Sequence, residues 1–356
     1  MEISELGEFG LIDRLAKDIK VKNASTGRGI GDDCAVLIPG DGMRTLVTTD
    51  LLMEGIHFDL TYVPLRHLGY KAVMVNLSDI FAMNGTPRQL TVSLAISGKF
   101  QVEDIEELYA GMRLACEKWG VDIVGGDTTA SLTGLAISIT AIGEAREEDI
   151  VYRSGAKPTD LICVSGNLGA AYMGLQLLER EKAVYNDQVE QARKSGSKEQ
   201  MELLRDQQPD FSGREYILER QLKPEARGDI IAALREAGIR PTSMMDISDG
   251  LSSELMHICR QSQTGCRIYE ERLPLDYQTA AMAEELNMNV STCALNGGED
   301  YELLFTVPLA LNDTVAALED IHVIGYITEA EKGLCLITRD GGEHRLKAQG
   351  WNPLKA

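Results

Sequence analysis

The chain has 356 residues, 44% of them hydrophobic and 25% charged, and a formal net charge of -20, a length that suits two ordinary domains and a charge that excludes nucleic acid and anionic membrane as expected partners. No apolar run reaches the roughly 18 residues of a membrane span and the first residues, Met1 to Glu5, are acidic where a signal peptide would be basic, so the cytoplasm is the expected location. Seven cysteines without a C-x-x-C pair exclude a disulfide framework and a structural zinc site.

Apolar spacing at Leu11, Ile12, Leu15 and Ile19 predicts an amphipathic first helix over residues 5–20. A glycine-spaced loop (Gly27, Gly29, Gly31) then runs into the adjacent acids Asp32 and Asp33 and a strand from Ala35 to Ile38. Neighbouring carboxylates repel unless a cation sits beside them, and glycines let a backbone approach a ligand closely. The stretch therefore reads as a metal and phosphate loop or as a polar turn into an edge strand. A second strand, Thr45 to Thr49, ends at Asp50. The segment Leu68 to Met83 is predicted helical, with Tyr70, Val73, Met74, Leu77, Ile80 and Phe81 over a wide apolar arc and Ala72, Asn76 and Asp79 sharing another face. A buried Asp needs a partner, and a metal ion is a suitable one.

A strand from Leu90 to Ile96 and a helix from about Val102 to Trp119, stopped by Gly120, follow. The short strand Val121 to Val124 runs into Gly125-Gly126-Asp127-Thr128-Thr129, which places an acid at a strand end behind glycines. Leu135 to Gly143 alternates as a strand, and the charged stretch Arg146 to Lys157 marks the boundary between an N-terminal domain, 1–148, and a C-terminal domain, 149–356. The second half opens with a strand, Asp160 to Ser165, and a helix from about Leu168 to Glu179. Residues 181–214, rich in Glu, Gln, Lys and Arg, predict a solvent-facing helical excursion without chemistry. Next come a helix from Ala226 to Glu236, a strand from Met244 into Asp246-Ile247-Ser248-Asp249-Gly250-Leu251, a helix marked by Leu251, Leu255 and Ile258, and the turn Gly297-Gly298-Glu299-Asp300-Tyr301. A strand from Glu302 to Val307, a helix over 312–320 and strands near 321–327 and 333–338 complete an α/β or α+β chain.

Acids thus stand at strand ends or on a buried helix face at Asp32, Asp33, Asp50, Asp79, Asp127, Asp246 and Asp249. Oxygen-only ligation with scarce histidine points to magnesium, and several magnesium ions point to a polyphosphate. A P-loop, a full G-x-G-x-x-G, a G-x-S-x-G and an H-E-x-x-H are all missing, so the standard nucleotide and hydrolase signatures do not apply.

Seven stretches in order resemble the signature set of the thiamine-monophosphate kinase family: Gly29-Ile30-Gly31-Asp32-Asp33; Thr48-Thr49-Asp50 with Glu54-Gly55-Ile56-His57-Phe58; Lys71 to Asp79; Gly125 to Thr129; Arg153-Ser154-Gly155-Ala156-Lys157-Pro158; Asp246 to Leu251; and Gly297 to Leu303. The resemblance implies the two-domain fold shared with aminoimidazole ribonucleotide synthetase, and a homodimer whose N-terminal sheets close into a β-barrel. It implies ATP-dependent phosphorylation of thiamine monophosphate to thiamine diphosphate, by direct in-line transfer with several Mg2+ ions and no general base. It makes Asp33, Thr48, Thr49, Asp50, Asp79, Asp127, Asp246 and Asp249 magnesium positions, and Asp32 a motif position of less direct role. Gly126, Asp127, Arg153 and Ser248 match ATP positions, and His57, Glu299 and Trp351 match positions that hold thiamine monophosphate. An acid and an aromatic face suit a thiazolium cation, and an arginine suits a phosphate. The alternatives are another ATP-using enzyme of that fold, such as a ribonucleotide synthetase, or a non-catalytic nucleotide- and magnesium-binding maturation protein; His57, Glu299 and Trp351 favour the kinase.

Overall fold

The computed structural model describes residues 26–28, 32–40, 42–196, 203–204 and 209–349. The predicted first helix, Gly29 and Gly31, and Trp351 lie outside the described residues. In the first half the strands are β1 (Thr26–Arg28), β2 (Ala35–Gly40), β3 (Met43–Met53), β4 (Thr86–Ser97), β5 (Asp122–Ser131) and β6 (Leu135–Arg146). They form a sheet in the order β1-β2-β3-β6-β4-β5, antiparallel throughout except for the parallel β4–β5 pair. In β6 buried and half-buried residues alternate, because one face packs on helices while the other is open. On that open face Leu51 is 55% exposed, and Met53 and Val124 are exposed as well. The sheet is open, and the described residues contain no closed barrel.

Two 18-residue helices, α1 (Leu65–Ala82) and α2 (Val102–Trp119), cover the inner face. Helix α2 has the predicted bounds for a local reason: Gln101 and Asp104 form a capping box and Gly120 closes the helix in the left-handed conformation. Helix α1 is different, since fourteen of its residues are buried, charged and polar ones among them. A helix buried all round lies between layers. It packs on α2 and the first sheet on one side and on the second half of the chain on the other.

The second half contributes β7 (Leu161–Ser165), β8 (Ser243–Asp246), β9 (Thr264–Tyr269), β10 (Leu303–Val307), β11 (Ile321–Glu329), β12 (Leu334–Ile337) and β13 (Glu343–Arg345), in the order β13-β12-β9-β11-β7-β10-β8. Its helices are α3 (Ala170–Ser195), α4 (Glu215–Leu222), α5 (Gly228–Glu236), α6 (Leu251–Ser262), α7 (Tyr277–Glu285), α8 (Val290–Asn296) and α9 (Asn312–Ala316). Strands β7 and β10 are buried at every residue, as their unbroken apolar runs require.

Several expectations need correction. The glycines and Asp127 lie inside β5 rather than beyond its end, and nearly all of β5 is exposed at the sheet edge. The helix predicted to end near Glu179 continues unbroken to Ser195, so much of the charged excursion is its second half. That half is anchored: Lys182 pairs with Asp59 at 2.6 Å, and the Tyr62 hydroxyl donates to Glu179 at 2.6 Å. Strand β9 and helices α4, α7 and α8 carry short, mixed patterns that the spacing did not mark.

Candidate active site

Three carboxylates, Asp33 before β2, Asp79 on α1 and Asp246 at the end of β8, bring ligand oxygens within 4.8 Å of one another. Their elements explain the convergence. Strand alternation turns Thr48 and Leu46 of β3 inward against α1, and the Thr48 hydroxyl donates to Asp79. Asn76, one turn earlier, accepts the Asp50 N–H at 3.2 Å and donates to the Ala72 carbonyl at 3.0 Å. On the side of α1 that meets the second half, Ser78 donates to Asp246 at 2.5 Å. Helix α1 therefore joins the acids of the two halves.

Burial holds Asp79 well above the usual carboxylate range, and Asp50, Asp246 and Asp33 add to the effect against the Thr48 hydrogen bond. Burial and the neighbouring Asp33 push Asp246 up to about 7, opposed by Ser78 and Arg153. The Cys34 thiol, buried beside the same acids, is pushed up too. Asp33 gives one oxygen to Arg153, whose Nη2 and Nε donate to Oδ1, the latter at 3.2 Å, while its other oxygen is buried with no hydrogen-bond partner. Crowded oxygens, acids driven toward their protonated forms and an orphaned carboxylate oxygen together fit a hard divalent cation.

Asp32 accepts the Arg153 backbone N–H at 2.8 Å, so it orients the segment that carries the arginine. The Arg153 guanidinium itself pairs with Asp33, where the sequence led us to expect a group aimed at phosphate. Asp50 lies beside the cluster and raises both Asp79 and Asp246, while Asp249, in the loop after β8, donates its N–H to the buried Glu254 at 3.0 Å. Ser248 accepts the Glu299 N–H on its carbonyl at 2.7 Å. Two predicted ligand positions face elsewhere. The Thr49 hydroxyl points to the open face and donates to the Ile139 carbonyl at 3.0 Å, the side that alternation gives to a neighbour of Thr48. Asp127 is exposed, in register with the exposed Ser93, and β6 and β4 separate its strand from β3. Three strand spacings are roughly 14 Å. Asp127 therefore stands apart from the three clustered acids, because edge position and not the glycine context sets its exposure.

Two turns back along α1 lies a second group. Lys71, 4% exposed, pairs with Glu299 at 2.9 Å and donates to the Gln221 carbonyl at 3.1 Å, and Gln221 Nε2 donates to the other Glu299 oxygen at 2.9 Å. Burial lowers the pKa of His57, with Glu299 raising it and Lys71 lowering it. Its Nδ1 accepts the Met53 N–H at 2.9 Å, which leaves the neutral ring's proton on Nε2. The spacing analysis missed Lys71, Ser78 and Gln221. Lys71 and Ser78 stand seven apart on a mostly apolar helix, the same signal that singled out Asn76 and Asp79. A separate cavity of about 390 Å³ between the end of α2 and α4 is lined by Glu302 and by Arg220 and Arg227, which both pair with it, and by none of the clustered acids.

This α/β architecture falls in the class of the AIR synthase related proteins, whose N-terminal domain family model matches residues 31–145. A solved structure of AaThiL complexed with AMPPCP and TMP aligns with a TM-score of 0.80 at 33% identity, over 99% of this chain and 98% of that one. Thiamine-monophosphate kinase from Bacillus subtilis (strain 168) is 32% identical over 98% of this chain and 100% of its own length. The protein of that name from Aquifex aeolicus (strain VF5) is 35% identical over 93% and 94%. The chain belongs to the thiamine-monophosphate kinase family.

Proposed function

We propose that this chain transfers the γ-phosphoryl group of ATP to thiamine monophosphate, giving thiamine diphosphate. The observation that carries this reading is the meeting of Asp33, Asp79 and Asp246 within 4.8 Å at one end of a buried helix whose other end carries Lys71 beside Glu299 and His57. A relative complexed with AMPPCP and TMP, similar over 99% of this chain, supports it.

Asp33, Thr48, Asp50, Asp79, Asp246 and Asp249 would hold magnesium, which supplies positive charge to offset repulsion between two phosphate-bearing substrates. Gly126, Asp127, Arg153 and Ser248 bind ATP, and His57, Glu299 and Trp351 bind the acceptor. Thr49 and Asp127, magnesium positions by the family pattern, lie on the open face and the edge strand, away from the three clustered acids. The acceptor is a monoester already ionised at neutral pH, so the protein needs no general base. Its task is to align the two substrates for in-line transfer and to keep water out. The homodimer is part of the proposal: the exposed edge of β5 and the apolar open face suit closure against a second N-terminal sheet. So are the division into domains 1–148 and 149–356 and a cytoplasmic location. Among the described residues no helix is long and apolar enough to cross a membrane.

Incubation with ATP, Mg2+ and thiamine monophosphate is expected to yield thiamine diphosphate and ADP, with no phosphorylated protein trapped by labelled ATP. Failure to form the diphosphate would refute the reading, and a phospho-enzyme would refute direct transfer.

A further inference from the structure

Glu299 has an unusual setting for an acid at a binding surface. Its backbone φ is +65°, a left-handed conformation that residues with side chains adopt rarely and under strain. Both carboxylate oxygens are engaged from inside the protein, one by Lys71 and one by Gln221. Its N–H is tied to the Ser248 carbonyl, in the loop that also holds Asp246 and Asp249. Lys71 is buried on a mostly apolar helix, and a buried ammonium persists only where an acid and a carbonyl receive its protons. Its two described acceptors are Glu299 and the carbonyl of Gln221, so its placement serves that corner.

Lys71 and Asp79 are eight residues apart on α1, about 12 Å along the helix axis. A monoester whose phosphate lies at the acids would extend its organic part toward Lys71, Glu299 and His57. We propose that Lys71 is the positioning residue of the acceptor subsite: with Gln221 it brackets Glu299, fixes the carboxylate in its left-handed setting and offsets its charge. The inference rests on the kinase reading above and adds to it. Lys71 acts through Glu299 and touches neither ATP nor the transferred phosphoryl group.

The test is a steady-state comparison of wild type, Lys71→Met, Glu299→Gln and the double variant, with both substrates varied and Tm recorded. Lys71→Met is expected to raise the KM for thiamine monophosphate about tenfold or more, with kcat and the KM for ATP within about threefold of wild type. In the double variant the acceptor KM should be no higher than in the worse single variant, because the two residues work as one unit. Gln221→Met, which keeps the Lys71 contacts, should raise the acceptor KM in the same direction and serves if Lys71→Met does not fold. An acceptor KM within twofold of wild type in the folded single variants, an equal rise in the ATP KM, or independent multiplication of the effects in the double variant would overturn the proposal. Wild type inactive on thiamine monophosphate would overturn the kinase reading and this inference with it; active wild type with an unaffected variant would overturn this inference alone.

Discussion

At the scale of single residues, the acid cluster is stable only because protons or cations reduce its charge. Asp246, pushed up to about 7, and Asp79, raised well above the ordinary carboxylate range, hold protons in the folded chain that the unfolded chain releases near pH 4. Their folded-state pKa values are raised, so the stability they contribute is fully present below the unfolded-state carboxylate range and is lost as pH rises through the raised values, about 7 for Asp246. A divalent cation binds the ionised forms and reverses this trend. Adding Mg2+ should therefore raise Tm more at pH 8 than at pH 6, by thermal denaturation in matched buffers; an equal rise at both would argue against these acids as the binding site. Asp79→Asn keeps a partner for Thr48 while removing one of the mutually repelling charges. It is expected to leave Tm without metal unchanged or higher and to lower kcat by about 100-fold or more. Turnover near wild type would refute the role given to Asp79.

At the scale of elements, the site depends on how closely α1 and α2 cross. A Cβ at Gly69 would lie 1.9 Å from the Leu108 carbonyl oxygen, and one at Gly111 would lie 1.9 Å from that of Arg66, so the two backbones touch at reciprocal glycines. Gly111→Ala should force the helices apart, destabilising the protein by about 1–3 kcal/mol, and should lower activity because α1 carries Lys71, Ser78 and Asp79. Gly98→Ala, at an exposed position with nothing within 4 Å, is the control and should stay within about 0.5 kcal/mol. Urea denaturation of both variants measures the difference. The long α3 is a second dependence, since its Glu179 and Lys182 hold Tyr62 and Asp59 in the loop that follows His57. Its exposed ion pairs contribute little stability each, so the link concerns the placement of the loop.

At the scale of the molecule, the larger apolar core runs through both halves, with Leu46, Met74 and Ile139 in one cluster with Cys163, Leu303 and Phe305. The acid cluster is thus held by a continuous core in which α1 is shared. Among the described residues the open face of the first sheet has no such cover. Leu51→Glu with Val124→Glu, at exposed apolar positions on β3 and β5, should halve the mass measured by sedimentation equilibrium while far-UV circular dichroism stays unchanged. A wild-type chain that sediments as a monomer would refute the dimer.

Sequence alone determined the mixed α/β class and the bounds of α2, and it marked out Asp33, Asp79 and Asp246 among the candidate acids. Those features depend on neighbours along the chain: caps, alternation, and carboxylates beside glycines. It also brought out Asn76 and Asp79 as a polar face on an apolar helix. Tertiary structure decided which acids meet. Asp127 and Asp246 follow similar strand patterns, yet one lies on an exposed sheet edge and the other, 4% exposed, in the crevice against α1, because strand order is set by packing between distant segments. It also decided that Arg153 holds Asp33 and that Lys71, given no role by spacing, holds Glu299 from more than two hundred residues away. No local pattern records such a pair, since what makes a buried charge tolerable is the partner that folding brings to it.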